Sequence, residues 1–103
     1  MITSKQHLLI RTLILLSLAS LISAAKAADP AKGSVTFNNI CAACHGAKGE
    51  GGIGLPLKNI LSRFQHNEVI EKIKNPKPPM PALYPSFLNE GAVADVAAFI
   101  ETL

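Results

Sequence analysis

Cys41-Ala42-Ala43-Cys44-His45 carries the strongest chemical signal in the chain. Two thiols three residues apart lie on one turn of a helix, at the spacing that lets each add to one of the two vinyl groups of a haem. The adjacent imidazole then points at the iron as its proximal ligand. Two other readings suit the same residue types. An exported chain can hold two cysteines as a disulfide or as a thioredoxin-like redox pair, although the latter belongs to a βαβ context. A structural zinc site needs four ligands; apart from His7 near the start of the chain, the Cys and His donors are Cys41, Cys44, His45 and His66, and nothing resembles a second paired half.

A second iron ligand is sought among the remaining donors. Met80 is the only methionine after the initiator, and it stands in Pro78-Pro79-Met80-Pro81. A lone methionine is usually a pliant filler of core gaps. Prolines that fix the backbone around it instead suit a thioether held at one place. His66 is the competing donor, in the polar run Gln65-His66-Asn67-Glu68, where a solvent-exposed histidine is the plain alternative.

The elements that must position these residues are legible in the punctuation of the chain. Five of the seven glycines fall between Gly46 and Gly54 and five of the seven prolines between Pro76 and Pro85, which marks two long loops. Asp29-Pro30 reads as an N-cap with proline at the first helical position, and predicts a helix to about Ile40. A second helix is expected from Asn67, with Val69, Ile70 and Ile73 on one face, ending before Pro76. A third runs from Asn89 to the end, with Val93, Val96, Ala97, Ile100 and Leu103 at helical spacing. A short helical turn is expected around Asn59 to Phe64. No segment alternates as a strand does, so the chain reads as all-α.

Charge and hydropathy divide the chain unevenly. Its 103 residues hold ten Lys and Arg against seven Asp and Glu, a net charge of +3. Three of the ten, Lys5, Arg11 and Lys26, precede residue 28, where there is no acidic residue; the remainder is formally neutral. The basic excess therefore does not indicate a nucleic-acid binder. Lys5 and Arg11, an apolar stretch from Thr12 to Ala25, and Ala25-Lys26-Ala27 form the layout of a secretory signal with cleavage after Ala27. That stretch of 14 residues is short of the about 20 a spanning helix needs. Residues 1–27 are thus expected to be a cleaved signal and residues 28–103 one domain exported to the periplasm. A core of that size gives only about 3–5 kcal/mol of net stability, so a staple is expected, and a covalent haem supplies one.

With the Cys41–His45 motif, the glycine loop and Met80 in place, residues 31–103 resemble a small class I c-type cytochrome of the bacterial periplasm. Gly33-Ser34-Val35-Thr36-Phe37-Asn38-Asn39-Ile40-Cys41 matches the family pattern of a small residue, an aromatic four later and the haem cysteine four after that. The resemblance implies the cytochrome c fold: N- and C-terminal helices crossing at Gly33 and Phe37 against Phe99, and haem c enclosed by loops. Cys41 and Cys44 would hold that haem, with His45 and Met80 on its iron. It also implies that the Pro56 carbonyl accepts from the ring N–H of His45, a bond that would orient the imidazole. The chain lacks the tryptophan of many relatives, so a haem propionate would be met by Tyr84, Arg63 or an amide.

Iron with both axial positions filled carries one electron and has no place for substrate, so the expected role is an electron carrier with redox proteins as partners, not an enzyme. Ile53, Leu55, Leu57, Leu61, Phe64, Ile70 and Leu83 are expected to exclude water. The rivals are a haem sensor or peroxidase-like protein with a labile sixth ligand, and a haem subunit of a larger oxidoreductase. A membrane would be met only through such a complex, the chain itself being a monomer or a small subunit. Lys72, Lys74 and Lys77 could steer acidic partners, though Glu68 and Glu71 interleave with them as on an ordinary solvated face.

Overall fold

A computed structural model describes residues 1–19 and 26–103. Ser4–Ala19 form helix α1, and no helix among the described residues is long and apolar enough to cross a membrane. Ala25, the first residue of the expected cleavage motif, lies outside the described residues.

The remainder is helical, with no strand among the described residues. Helix α2 (Pro30–Thr36) starts as expected: the Asp29 carboxylate accepts from the Ala31 N–H at 2.9 Å and, more weakly, from that of Lys32, with proline at N1. The helix does not stop near Ile40. It widens over Phe37–Cys41 into a π turn, where the Ala42 N–H bonds the Phe37 carbonyl five residues back, and continues as α3 (Ala42–His45). Gly46, at φ +87°, ends it. The extra residue turns the face of α3 by about 100° relative to that of α2.

Helix α5 (Glu90–Ile100) is capped by the Asn89 side chain, which accepts from the Ala92 N–H at 2.9 Å. It crosses α2 at Gly33. A Cβ there would lie 1.9 Å from the Asp95 carbonyl oxygen, so only glycine permits the approach. One turn on, Phe37 is fully buried with its ring centroid 5.2 Å from that of Phe99, the planes tilted by 55°. The Asp29 N–H donates to Asp95 Oδ1 at 2.7 Å and fixes the start of α2 on α5.

Helix α4 (His66–Lys74) starts one residue earlier than the sequence indicates, because Gln65 serves as N-cap in a reciprocal box with Glu68, whose Oε2 accepts the Gln65 N–H at 2.7 Å. It buries Val69 and Ile73 and ends at Asn75, ahead of Pro76. The expected turn after Asn59 is a short 3₁₀ helix, Ile60–Ser62. Phe37, Leu57, Ile60, Val69, Ile73, Leu88, Val93, Val96, Ala97 and Ile100 make one core between α2, α4 and α5. The chain end closes on the loop: the Asn59 N–H donates to the Leu103 carbonyl at 3.0 Å.

Candidate functional site

The end of α3 presents the motif. Cys41 and Cys44 are half-buried and not bonded to each other. Burial pushes the Cys41 thiol above its usual value. That is the opposite direction to the activated thiol of a dithiol oxidoreductase, whose pKa is lowered by neighbouring positive charge or a helix N-terminus. These cysteines sit at the C-terminal end of a helical run, not at the helix N-terminus that lowers a thiol's pKa in dithiol oxidoreductases.

His45 is held from two sides by residues 46–58. Its ring Nδ1–H donates to the Leu55 carbonyl at 2.8 Å. A carbonyl only accepts, so the bond fixes the tautomer with Nε2 as the lone-pair nitrogen. Gly54 lies flat against the imidazole: a Cβ there would stand 2.7 to 3.1 Å from Cε1, Nδ1 and Nε2. The Gly54 N–H in turn donates to the Cys44 carbonyl at 2.8 Å, and the Gly51 N–H to the His45 carbonyl at 2.7 Å. The orphan carbonyls at the helix end are thus satisfied by the same loop that orients the ring.

The acceptor differs from the expected one. Pro56 does not meet His45; its carbonyl accepts from Arg63 Nη2 at 2.6 Å instead. The register of the loop depends on Gly46, Gly49 and Gly51, all at positive φ, and on the Gly49 carbonyl, which accepts from the N–H groups of Leu57 and Lys58. Such turns move a carbonyl by one residue with no mark in the pattern of residue types. Two backbone N–H groups, those of Glu50 and Lys48, hold the Glu50 carboxyl below its usual value over the first turn of this loop.

Met80 lies in the second loop, between α4 and α5. It is half-buried, and its N–H donates to the Lys77 carbonyl at 3.1 Å. The partly buried side chains packed against the core are Cys41, Ala42, Phe64, Ile70, Leu83, Tyr84, Ala92, Phe99 and Leu103; Met80 is not among them. The gap-filling role therefore does not describe it. His66 pairs through Nδ1 with Glu101 at 2.6 Å.

The apolar residues expected around the site divide in two. Leu57 is buried and Phe64, Ile70 and Leu83 pack on the core, whereas Ile53, Leu55 and Leu61 are 81%, 51% and 52% exposed. Ile53 and Leu55 flank Gly54, so apolar surface adjoins the imidazole. Free thiols on one turn, a locked imidazole with its Nε2 unengaged among the described residues, and apolar side chains beside them form a donor set that fits a covalently attached haem. Arg63 and Tyr84, expected at a propionate, are engaged within the protein by Pro56 and Glu90.

The basic residues of α4 are also engaged. The Lys72 ammonium stands 4.4 Å from the Phe64 ring centroid, and Lys74 donates to Glu90 at 2.7 Å.

Comparison with known proteins gives two findings. The family model described as cytochrome c oxidase, cbb3-type, subunit III matches residues 28–100. A cytochrome c6 from Thermosynechococcus vestitus is 32% identical over 90 residues, covering 81% of this chain and 78% of that protein.

Proposed function

The chain belongs to the c-type cytochromes and is a haem-based electron carrier with covalently bound haem c, and we propose that Cys41 and Cys44 hold that haem while His45 and Met80 supply the two axial ligands. The observation that carries this assignment is the His45 ring, whose Nδ1–H is tied to the Leu55 carbonyl so that Nε2 is left for iron. A bound haem supplies one-electron chemistry between iron(III) and iron(II).

The residues set the conditions for that chemistry. The Leu55 carbonyl, by accepting the hydrogen bond from Nδ1–H, would make His45 a stronger donor and keeps its plane fixed. Met80 would contribute a thioether, a soft donor that favours the reduced ion and raises the potential. With His45 and Met80 both as ligands, no position would be left for a substrate, which suits a carrier. Leu57, Phe64, Ile70 and Leu83 exclude water on the core side.

The signal layout of residues 1–27 supports export and cleavage after Ala27, and with it a mature domain of residues 28–103 that works in the periplasm. Its partners are redox proteins. The carrier is proposed to work as a free monomer; the subunit description of the matching family model favours a second reading, in which the domain is docked in a larger oxidoreductase. Intact mass of the purified exported protein tests processing and attachment together, expected at the mass of residues 28–103 plus one haem. A Cys41→Ala/Cys44→Ala chain that still retained haem through acid-acetone extraction would refute the assignment of the thiols. Elution of the native protein at the size of the single chain supports the free carrier, and co-elution with other haem proteins the docked one.

A further inference from the structure

Residues 75–89, which join α4 to α5 and carry Met80, are gathered on a single carboxylate oxygen. Glu90, the first residue of α5, accepts at Oε1 from Lys74 Nζ at 2.7 Å and from the Tyr84 hydroxyl at 2.5 Å. Lys74 is the last residue of α4, and Tyr84 lies in the middle of the segment. The Lys74 ammonium also stands 4.7 Å from the Tyr84 ring centroid. The chain thus leaves α4 at Lys74, passes Met80, returns at Tyr84 and closes at Glu90, with both ends and its far side joined at one atom. The other hydrogen bonds within the segment are local, from the Met80 N–H to the Lys77 carbonyl and from the Phe87 and Leu88 N–H groups to the Leu83 carbonyl, while Leu83, Tyr84 and Leu88 anchor its later half on the core.

We infer that Glu90 is a positioning residue for Met80: through Lys74 and Tyr84 it closes the proline-rich segment into a loop of fixed span and so holds the thioether at the iron. The inference rests on the axial role proposed for Met80. Five prolines, Pro76, Pro78, Pro79, Pro81 and Pro85, stiffen the segment, so fixing its ends and its far side also restricts what lies between them. Both bonds to Glu90 are charge-assisted and stronger than neutral ones. The Lys74 side chain is only 19% exposed, but Glu90 is 67% exposed, which limits the worth of the pair. The effect expected is therefore several-fold, not orders of magnitude.

Imidazole added to the oxidised, haem-loaded protein competes for the Met80 position and provides the test. Glu90→Ala and Tyr84→Phe should each bind imidazole about 3- to 10-fold more tightly than the native protein. Glu90→Gln should fall between, because its amide oxygen still accepts the Tyr84 hydroxyl. Met80→Ala should bind it most tightly, and adding Glu90→Ala to Met80→Ala should bring no further gain, which marks the effect as acting through Met80. A lower denaturation midpoint in Glu90→Ala and Tyr84→Phe with unchanged imidazole affinity would reduce the cluster to a structural tie and overturn the inference. Should Glu90→Ala not fold, Tyr84→Phe carries the test alone, since it removes one hydroxyl and keeps the ring. A native protein that binds imidazole as tightly as Met80→Ala would instead refute the axial role of Met80, and the inference with it.

Discussion

His45 and Gly54 form the closest-fitted pair of the site, and the consequence can be measured at single-atom resolution. Gly54→Ala places a methyl group 2.7 Å from the imidazole Cε1, so either the ring tilts or the loop moves away. Overpacking of this kind costs about 1–3 kcal/mol. The variant is expected to unfold at lower denaturant and, when haem-loaded, to show a changed reduction potential, because the Leu55 carbonyl moves with Gly54; an unchanged potential would show that ring and loop are not coupled. At the acidic end, Lys74 first and Tyr84 second hold the Glu90 carboxyl below its ordinary 4.5. A depressed carboxyl contributes stability that is fully present above 4.5 and is lost as pH falls through its lower folded value. The gap in denaturation midpoint between the native protein and Glu90→Gln should therefore be constant near neutrality and close on acidification. The Tyr84 hydroxyl and the Lys74 ammonium are raised, mainly by Glu90. Their contributions are present below 10.0 and 10.5 respectively and are lost as pH rises through the higher folded values, which bounds the same network on the alkaline side.

The crossing of α2 and α5 carries most of the architecture, and it depends on two residues of opposite size. Gly33 lets the backbones meet, and Phe37 fills the space one turn further on. Gly33→Ala drives a Cβ into the Asp95 carbonyl, a backbone atom that cannot rotate away, so thermal unfolding should move down by more than for an alanine placed at exposed Gly91. Phe37→Ala removes a fully buried ring at a cost of about 3–5 kcal/mol, the whole of what a core this size supplies, and the haem-free chain should then show no cooperative unfolding by circular dichroism. This crossing was legible through the resemblance to the c-type cytochromes, which places Gly33, Phe37 and Phe99 where the first and last helices meet, and the i, i+4 spacing of Gly33 and Phe37 puts both on one face. The cap at Asp29 was legible because its side chain completes the helix end chemically, whereas the sequence marks Asn89 only as the start of the last helix and it proves to be its cap. The π turn at Phe37–Cys41 was not, because widening a helix by one residue leaves no mark in apolar spacing that runs on into a motif. Nor was the exchange of Pro56 for Leu55 as the partner of His45, because backbone carbonyls have no identity in sequence and glycines at positive φ set their register. The Lys74–Tyr84–Glu90 cluster joins residues 16 and 6 apart across a loop, and only the folded loop brings them to one oxygen.

At the scale of the molecule, a single small core is joined to a face where two thiols, an imidazole and exposed Ile53 and Leu55 lie together. That arrangement makes the covalent group part of the stability of the protein as well as of its function. Without attachment, the Cys41→Ala/Cys44→Ala chain should unfold at markedly lower denaturant than the loaded protein, a comparison made by far-ultraviolet circular dichroism on the two purified forms. An electron carrier also requires both axial positions to stay filled in both oxidation states, and this is the central claim. It is tested most directly by the visible absorption spectrum of the haem-loaded protein, oxidised and then reduced, beside Met80→Ala. Sharp low-spin bands on reduction, a weak far-red charge-transfer band in the oxidised form that Met80→Ala abolishes, and no response to carbon monoxide are the predicted result. A high-spin spectrum in the native protein that shifts on adding carbon monoxide, or a far-red band that survives Met80→Ala, would contradict it.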